Sequence, residues 1–340
     1  MGLPVYNGEQ FIEETLEAIL SQSYQGFRVI VADNASTDRT AEIVDAYCRR
    51  DARVQLIRNS QNQGATYNYR LVLDHADTEY FKWIAADDLI HPDFLKLTVA
   101  ALDSVKEAVL AYSKAAFIDE NGRILYRFDS VMQIRSWPLD VVNRSKQMMR
   151  ALLNDGSAAN VIIFGLMRTK TLRSIRPLGN YFGCDYSIVT DMALNGQIIE
   201  IPQVLSFYRR HTRSSSHYGR VSPKDQQIFL DPRIANRLVQ ELQFRRRYLE
   251  MFRGIHQANL TTAQRLRIYS SAAHDLLARI GWRIKNRGLS AIGIDSMPKG
   301  PIDEDVSGLH WTKHKPPEAV DHNVRIDTPF GKFIGPKERQ

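Results

Sequence analysis

"FRVIVADNASTDRTAEIVDAYCRRDARVQLIRN", residues 27–59, decides the fold class. Residues 27–33 are a short, β-branched apolar run that ends in polar residues at Asp33 and Asn34. Ser36, Thr37 and Asp38 are helix-capping types, and apolar residues recur at helical spacing behind them up to Arg50. "VQLIRN" (54–59) is a second strand. Strand, helix and strand at this pitch predict a mostly parallel sheet covered by helices, an α/β fold.

The alternation extends in both directions. "EQFIEETLEAILSQ" (9–22) places Phe11, Ile12, Leu16, Ile19 and Leu20 on one helical face. "GATYNYRLVLDHA" (64–76) reads as a helix, "YFKWIAA" (80–86) as a strand, and residues 91–104 as a helix with Pro92 near its start. Residues 108–119 read as a strand followed by a turn at 120–123, and 145–154 as a helix. "VIIFGLMRT" (161–169) reads as a strand leading into a short helix. Residues 184–196 read as a helix closed by Gly196, and 197–211 as strand-like. From about 225 to 290 the pattern is helical and basic; after 297 the chain is rich in Pro, Gly and charge and predicts little regular structure. The expected divisions are 1–220, split near 107, then a helical extension over 221–295 and an irregular tail over 296–340.

The 340 residues are 44% hydrophobic and 24% charged, enough for a sizeable core. The net charge of +7 suits an anionic partner such as a nucleotide or a phospholipid surface, and equally a solvated basic face. Cys48 and Cys184 are far apart and in no metal-ligand spacing, which fits a reducing compartment and a cytoplasmic location. No run of about 18 apolar residues and no signal-like segment is found. Basic residues do not interleave with aromatics on one face, so a nucleic-acid partner is not expected. "FRRRYLEMFR" (244–253) and residues 265–287 are basic and amphipathic, as core-packing helices or as a peripheral contact with an anionic membrane.

In an open α/β sheet the ligand lies beyond the carboxyl ends of the strands. Three polar clusters fall there: "PVYNGE" (4–9), "DNASTD" (33–38) and "ADD" (86–88). Adjacent carboxylates such as Asp87 and Asp88 repel each other and resist burial. A strand-end pair suits a hard divalent cation, Mg²⁺ or Mn²⁺, which takes one or two carboxylates and completes its shell with phosphate oxygens and water. The plainer alternative is that Asp88 caps the helix near Pro92 and Asp87 is solvated. For Asp33, Asn7 and Glu9 the plainer alternative is turn and cap chemistry; for Asp185 it is a helix N-terminal charge.

The order of "LPVYNGEQFIEETLEAILSQSY", "VIVADNASTDRTAEIV", "RNSQNQGATYNYRLVLDHA", "KWIAADDLIHPDFL" and "CDYSIVTDMALNGQIIEIPQVLSFYRRH" resembles the family-2 glycosyltransferases of GT-A fold. The resemblance runs from Gly2 to about Ser216 and implies an inverting transfer of a sugar from a nucleotide-diphosphate donor to a hydroxyl acceptor. Residues 1–107 would form the nucleotide-sugar half and 108–220 the acceptor half. The resemblance implies Asp185 as catalytic base and Asp87 on the metal. It implies a donor site built from Pro4, Tyr6, Asn7, Glu9, Asp33, Asn34, Asn68, Asp88 and His211. Arg58, Arg209, Arg210 and Arg213 are further candidates for phosphate contact. Two departures accompany it. Ala85 stands where the family's usual pattern has its first aspartate, and only Met1 to Leu3 precede the first motif, so the first strand is expected to be very short or largely missing. The rival reading is a non-catalytic nucleotide-sugar-binding or assembly protein on a degenerate GT-A fold.

Overall fold

The computed structural model describes residues 1–128, 140–154, 157–212, 228–232 and 237–291. The tail after 296 and Arg213 lie outside these residues. In chain order the elements begin with β1 (Gly2–Val5), α1 (Ile12–Leu20), β2 (Val29–Asp33), α2 (Thr40–Arg50), β3 (Val54–Arg58), α3 (Ala65–Asp74), β4 (Tyr80–Phe81) and β5 (Leu89–Ile90). There follow α4 (Phe94–Ser104), β6 (Ala108–Ile118), β7 (Ile124–Phe128), α5 (Val141–Asn154), α6 (Ser157–Ile162), β8 (Leu166–Arg168) and α7 (Thr169–Ser174). The last are α8 (Cys184–Asn195), β9 (Gln197–Arg209), α9 (Arg237–Gln257) and α10 (Thr262–Ala291).

β1, β2 and β3 form a parallel sheet in that order. The expected short first strand is present as four buried residues, in register with β2 from Gly2↔Ile30 to Val5↔Asp33. A second sheet runs β4-β8-β6-β9-β5, with β7 on β6. A bridge between Gly2 and Trp83 joins the two sheets edge to edge. β6 and β9 are long and parallel; the other pairs of this second sheet are antiparallel.

The alternation along β2 sorts the core. Val29 and Val31 face a cluster with Ile12, Leu16 and Ile19 of α1, Val44 of α2 and Phe94 of α4. Ile30 and Ala32 face the other side, with Val72 of α3 and the interior of α5, α6 and α8. Met251, Ile255, Ile268 and Ala272 belong to this second cluster, so α9 and α10 share the core of the sheet. Among the described residues no helix is long and apolar enough to cross a membrane.

Two expected elements differ. The strand over 161–169 is α6 up to Ile162 and then only Leu166–Arg168. Val161 and Ile162 are buried, and a short apolar run buried all round carries no period that separates helix from strand. The strand over 80–86 pairs conventionally only at Tyr80–Phe81 and then continues as the bridge at Trp83.

Candidate active site

The loops after β1 and β2 brace each other. Asn7 N–H donates to Ser36 Oγ at 2.8 Å, and Thr37 N–H donates to Asn7 Oδ1 at 2.8 Å. Gly8 N–H reaches Thr40 Oγ1 at 2.8 Å, Glu9 N–H reaches Asp38 Oδ2 at 3.1 Å, and Arg39 N–H returns to Glu9 Oε2 at 3.0 Å. Asp38 Oδ1 accepts the Thr40 N–H at 3.0 Å, capping α2. Asn7 and Ala35 hold left-handed backbone, φ 52° and 61°, an expense for alanine that the cross-bracing sustains.

An asparagine network ties the strand ends to α3. Asn68, on α3, donates to Ala32 O at 2.6 Å and accepts from Asn59 Nδ2 at 3.1 Å. Asn59 Nδ2 also reaches Asn34 Oδ1 at 3.0 Å, and Asn34 Nδ2 donates to Asn62 Oδ1 at 2.8 Å. Both Asn34 and Asn68 are buried and their amides are engaged, so they shape the wall of the site. Asp33 is fully buried: Oδ1 accepts the Ser36 N–H at 3.1 Å, Arg58 Nε stands 3.7 Å from Oδ2, and Oδ2 has no hydrogen bond among the described residues.

Asp87 and Asp88 part company. Asp88 is buried, and its Oδ1 accepts the Arg209 N–H at 2.9 Å. Burial, with Asp87 beside it, holds the Asp88 carboxyl well above the usual range. Arg209 is a buried clamp: Nε donates to Asp87 O at 2.9 Å, Nη1 to Glu120 O at 2.9 Å, and Nη2 pairs with Glu14 at 2.6 Å. Its guanidinium also lies 4.6 Å above the Phe11 ring. Pinned in this way, the end of β9 delivers His211, whose Nε2 is 2.9 Å from Asp87 Oδ2. A carboxylate and an imidazole meeting at one point form a donor set that Mn²⁺ or Mg²⁺ accepts, with the remaining positions left to phosphate oxygens and water. No group of three or more His, Cys, Asp or Glu suited to a metal occurs among the described residues. A cation held here by the protein alone would therefore be incompletely ligated and would depend on the donor's oxygens.

A cavity of about 460 Å³ opens beside this pair. It brings together Pro4, Tyr6, Asn7, Asn34, Asn68, Asp87 and His211 from the sequence-predicted set. Glu9, Asp33, Asp88 and Asp185 do not line it: the first braces α2, and Asp33 and Asp88 lie behind the wall. Ala85 and Ala86 line the cavity, so the position of the missing carboxylate is apolar floor. Arg210 stacks over Phe117 at 4.3 Å. Sequence reasoning missed Gln10, Phe11, Asn62, Tyr69, Ile228 and Phe229 as lining residues. Asn62, in "NQG", carried a turn signal; Ile228 and Phe229 carried none.

Asp185 sits in the first turn of α8, entered through Gly183 at φ 82°, a left-handed position. Burial lifts its carboxyl to about 6, opposed by its own and the Tyr186 N–H and by the charge of Arg247. The half-buried Tyr69 lines the cavity, and its phenol is pushed up first by desolvation and then by the charges of Asp87, Asp88 and Cys184. Asp191, the next carboxylate of α8, is locked by Arg176 at 2.7 and 2.8 Å and is structural.

Comparison with known proteins bears on the family and the fold. The family described as "Glycosyl transferase family 2" matches residues 2–166. An uncharacterized glycosyltransferase of Methanocaldococcus jannaschii is 31% identical over 121 residues, 35% of this chain and 42% of its own length. The glycosyltransferase GlyG of Streptococcus pneumoniae is 31% identical over 94 residues, 28% of this chain and 31% of its own. The chain thus spans less than half the length of these relatives. Among solved structures, S. aureus TarS 1-349 in complex with UDP-GlcNAc superposes with a TM-score of 0.59 at 19% identity, covering 82% of this chain and 72% of that one. The mannosyltransferase PcManGT of Pyrobaculum calidifontis, in complex with GDP-Man and Mn²⁺, gives 0.52 at 16% identity, covering 87% and 75%. At these identities the likeness is one of fold, GT-A.

Proposed function

Residues 2–166 belong to glycosyl transferase family 2, and from that premise we propose that the chain is an inverting glycosyltransferase. It moves a sugar from a nucleotide-diphosphate donor to a hydroxyl acceptor in polysaccharide or glycoconjugate synthesis. The observation that carries the reading is the meeting of Asp87 and His211, 124 residues apart, at 2.9 Å on the wall of the 460 Å³ cavity. The GT-A neighbours bound to UDP-GlcNAc and to GDP-Man with Mn²⁺ support a nucleotide-sugar donor.

In this mechanism the donor lies along the ends of β1 and β2, with its diphosphate toward Asp87 and His211. Those two residues would hold Mg²⁺ or Mn²⁺, which supplies Lewis-acid neutralisation of a diphosphate. Asp185 is ionised at neutral pH, because its carboxyl titrates near 6, yet it is basic enough to accept a proton. It takes the acceptor hydroxyl's proton as the oxygen bonds to the anomeric carbon and the bond from that carbon to the diphosphate oxygen breaks. Attack opposite the leaving group inverts the centre, and no covalent enzyme intermediate forms. Holding the two substrates in line supplies much of the rate by positioning.

A thermal-shift series with nucleoside diphosphates of each base, with and without Mn²⁺, tests the reading. A ligand that binds only the folded state at a hundred times its Kd adds about 2.7 kcal/mol of stability. One base class should raise the Tm, and more so with Mn²⁺. If no nucleotide raises the Tm under either condition, the reading fails.

A further inference from the structure

One part of the cavity wall comes from outside the strand ends and outside residues 2–166: the segment 228–232. Ile228 and Phe229 line the cavity although they are 39% and 49% exposed. The segment is fixed from behind. Gly64, the residue before α3, has φ 85°, and a Cβ there would stand 2.3 Å from Leu230 O and 2.8 Å from Asp231 Cα. Asp231 is buried, and its Oδ2 accepts Asn180 Nδ2 at 2.7 Å. Asn180 Oδ1 in turn receives Thr66 Oγ1 of α3 at 3.5 Å. Gly64 N–H donates to Asn62 Oδ1 at 2.8 Å, and Asn62 is itself on the cavity wall.

We propose that residues 228–232 form a fixed strap that completes the donor cavity, with Phe229 and Ile228 as the apolar surface against one face of the bound nucleotide, and with Gly64, Asn180 and Asp231 as positioning residues. The proposal rests on the glycosyltransferase reading. The rest of the wall is rich in amides and carries a carboxylate and an imidazole, so it can orient polar groups. Two large apolar side chains held half in water at the same opening have no such use. They lose apolar exposure when a planar base or a sugar ring covers them, and stacking of an aromatic side chain on a base tolerates any base because each has a π-face. Gly64 is needed because the strap's backbone lies where any side chain would stand and because a left-handed backbone there disfavours other residues. The strap therefore contributes affinity for the nucleotide, while base identity is read by the polar wall.

Calorimetry of UDP and GDP with Mn²⁺, on the full chain and on Phe229→Ala, Phe229→Tyr and Asp231→Ala, tests this. The wild type binds one of the two nucleotides, or the base that raises the Tm in the thermal-shift series is used in their place. Phe229→Ala weakens that binding by about tenfold or more, on the scale of one lost base stack, with its Tm unchanged because the side chain is half exposed. Phe229→Tyr retains affinity, and Asp231→Ala, which frees the strap, weakens it as Phe229→Ala does. If the wild type binds and Phe229→Ala binds within twofold of it, the strap is overturned while the glycosyltransferase reading stands. If the wild type binds neither of these nor any other nucleoside diphosphate of the thermal-shift series, the reading itself falls, and the strap with it.

Discussion

Burial lifts the Asp185 carboxyl to about 6, and two consequences separate a base from a helix-terminal charge. Transfer should fall as pH drops through 6, when the group takes its own proton and can no longer accept one. The stability effect has the opposite sense. Between the ordinary value of 3.8 and 6 the folded state binds more protons than the unfolded chain, so this residue's contribution to stability declines as pH rises across that window. Asp185→Asn removes the ionised form. It should lower transfer by on the order of 10²–10⁴-fold while leaving the Tm at pH 7 equal or higher. Activity assays beside a melting curve check both; a lowered Tm with activity intact would make Asp185 a stabiliser of the α8 terminus. Much of this residue scale was legible in the sequence, since Pro4, Tyr6, Asn7, Asn34, Asn68, Asp87 and His211 all reach the cavity. What was not legible was direction. Asp33 ends β2 as expected and Asp88 lies in the turn just before β5, but the turn bonds of one and the Arg209 N–H bond of the other draw them behind the wall.

At the scale of elements, the site depends on the end of β9 reaching the Asp87–Asp88 turn. Arg209 joins four segments by binding the carbonyls of Asp87, Asp119 and Glu120 and the carboxylate of Glu14. Its replacement by Gln leaves the carbonyls of Asp87, Asp119 and Glu120 short of a donor and Glu14 without its cation. Arg209→Gln should therefore lower the Tm and lose Mn²⁺-supported nucleotide binding together, because His211 is only two residues further on. A normal Tm in thermal melts would count against the clamp. The parallel β2-α2-β3 unit was readable because β2 and β3 are short runs with β-branched residues that end in polar ones, whereas β1, only Gly2–Val5, was expected to be very short or largely missing. The 161–169 region was misread because it begins in buried residues, Val161 and Ile162, where a short apolar run carries no period that separates helix from strand. The pairing of β4 through β9 was not readable at all, since long-range register leaves no local pattern.

For the whole molecule, α9 and α10 are part of the core. Met251 and Ile255 of α9 and Ile268 and Ala272 of α10 join the cluster that holds Ile188 and Met192 of α8. Arg176 bridges Asp191 of α8 and Glu250 of α9, with its Nη1 at 3.0 Å from the Glu250 carboxylate. α9 thus backs the helix that carries Asp185, and the strap over 228–232 directly precedes it in sequence. A chain ending at residue 236 would expose that apolar face and leave Asp191 with a weakened partner set. It should melt at least about 10 °C lower than the full chain or fail to fold, since each kcal/mol lost shifts Tm by a few degrees. An unchanged melting curve by circular dichroism would show the helices to be a separate extension, as the sequence alone suggested.

In the proposed mechanism the donor side lies at Asp87 with His211 and the acceptor side at Asp185. Calorimetry of nucleoside diphosphate binding with Mn²⁺, on the wild type, Asp87→Asn and Asp185→Asn in parallel, tests it most directly. Asp87→Asn should lose the Mn²⁺-dependent part of the affinity at an unchanged fold, whereas Asp185→Asn should bind as the wild type does and fail to transfer. Wild-type affinity in Asp87→Asn, or loss of nucleotide binding in Asp185→Asn, would contradict it.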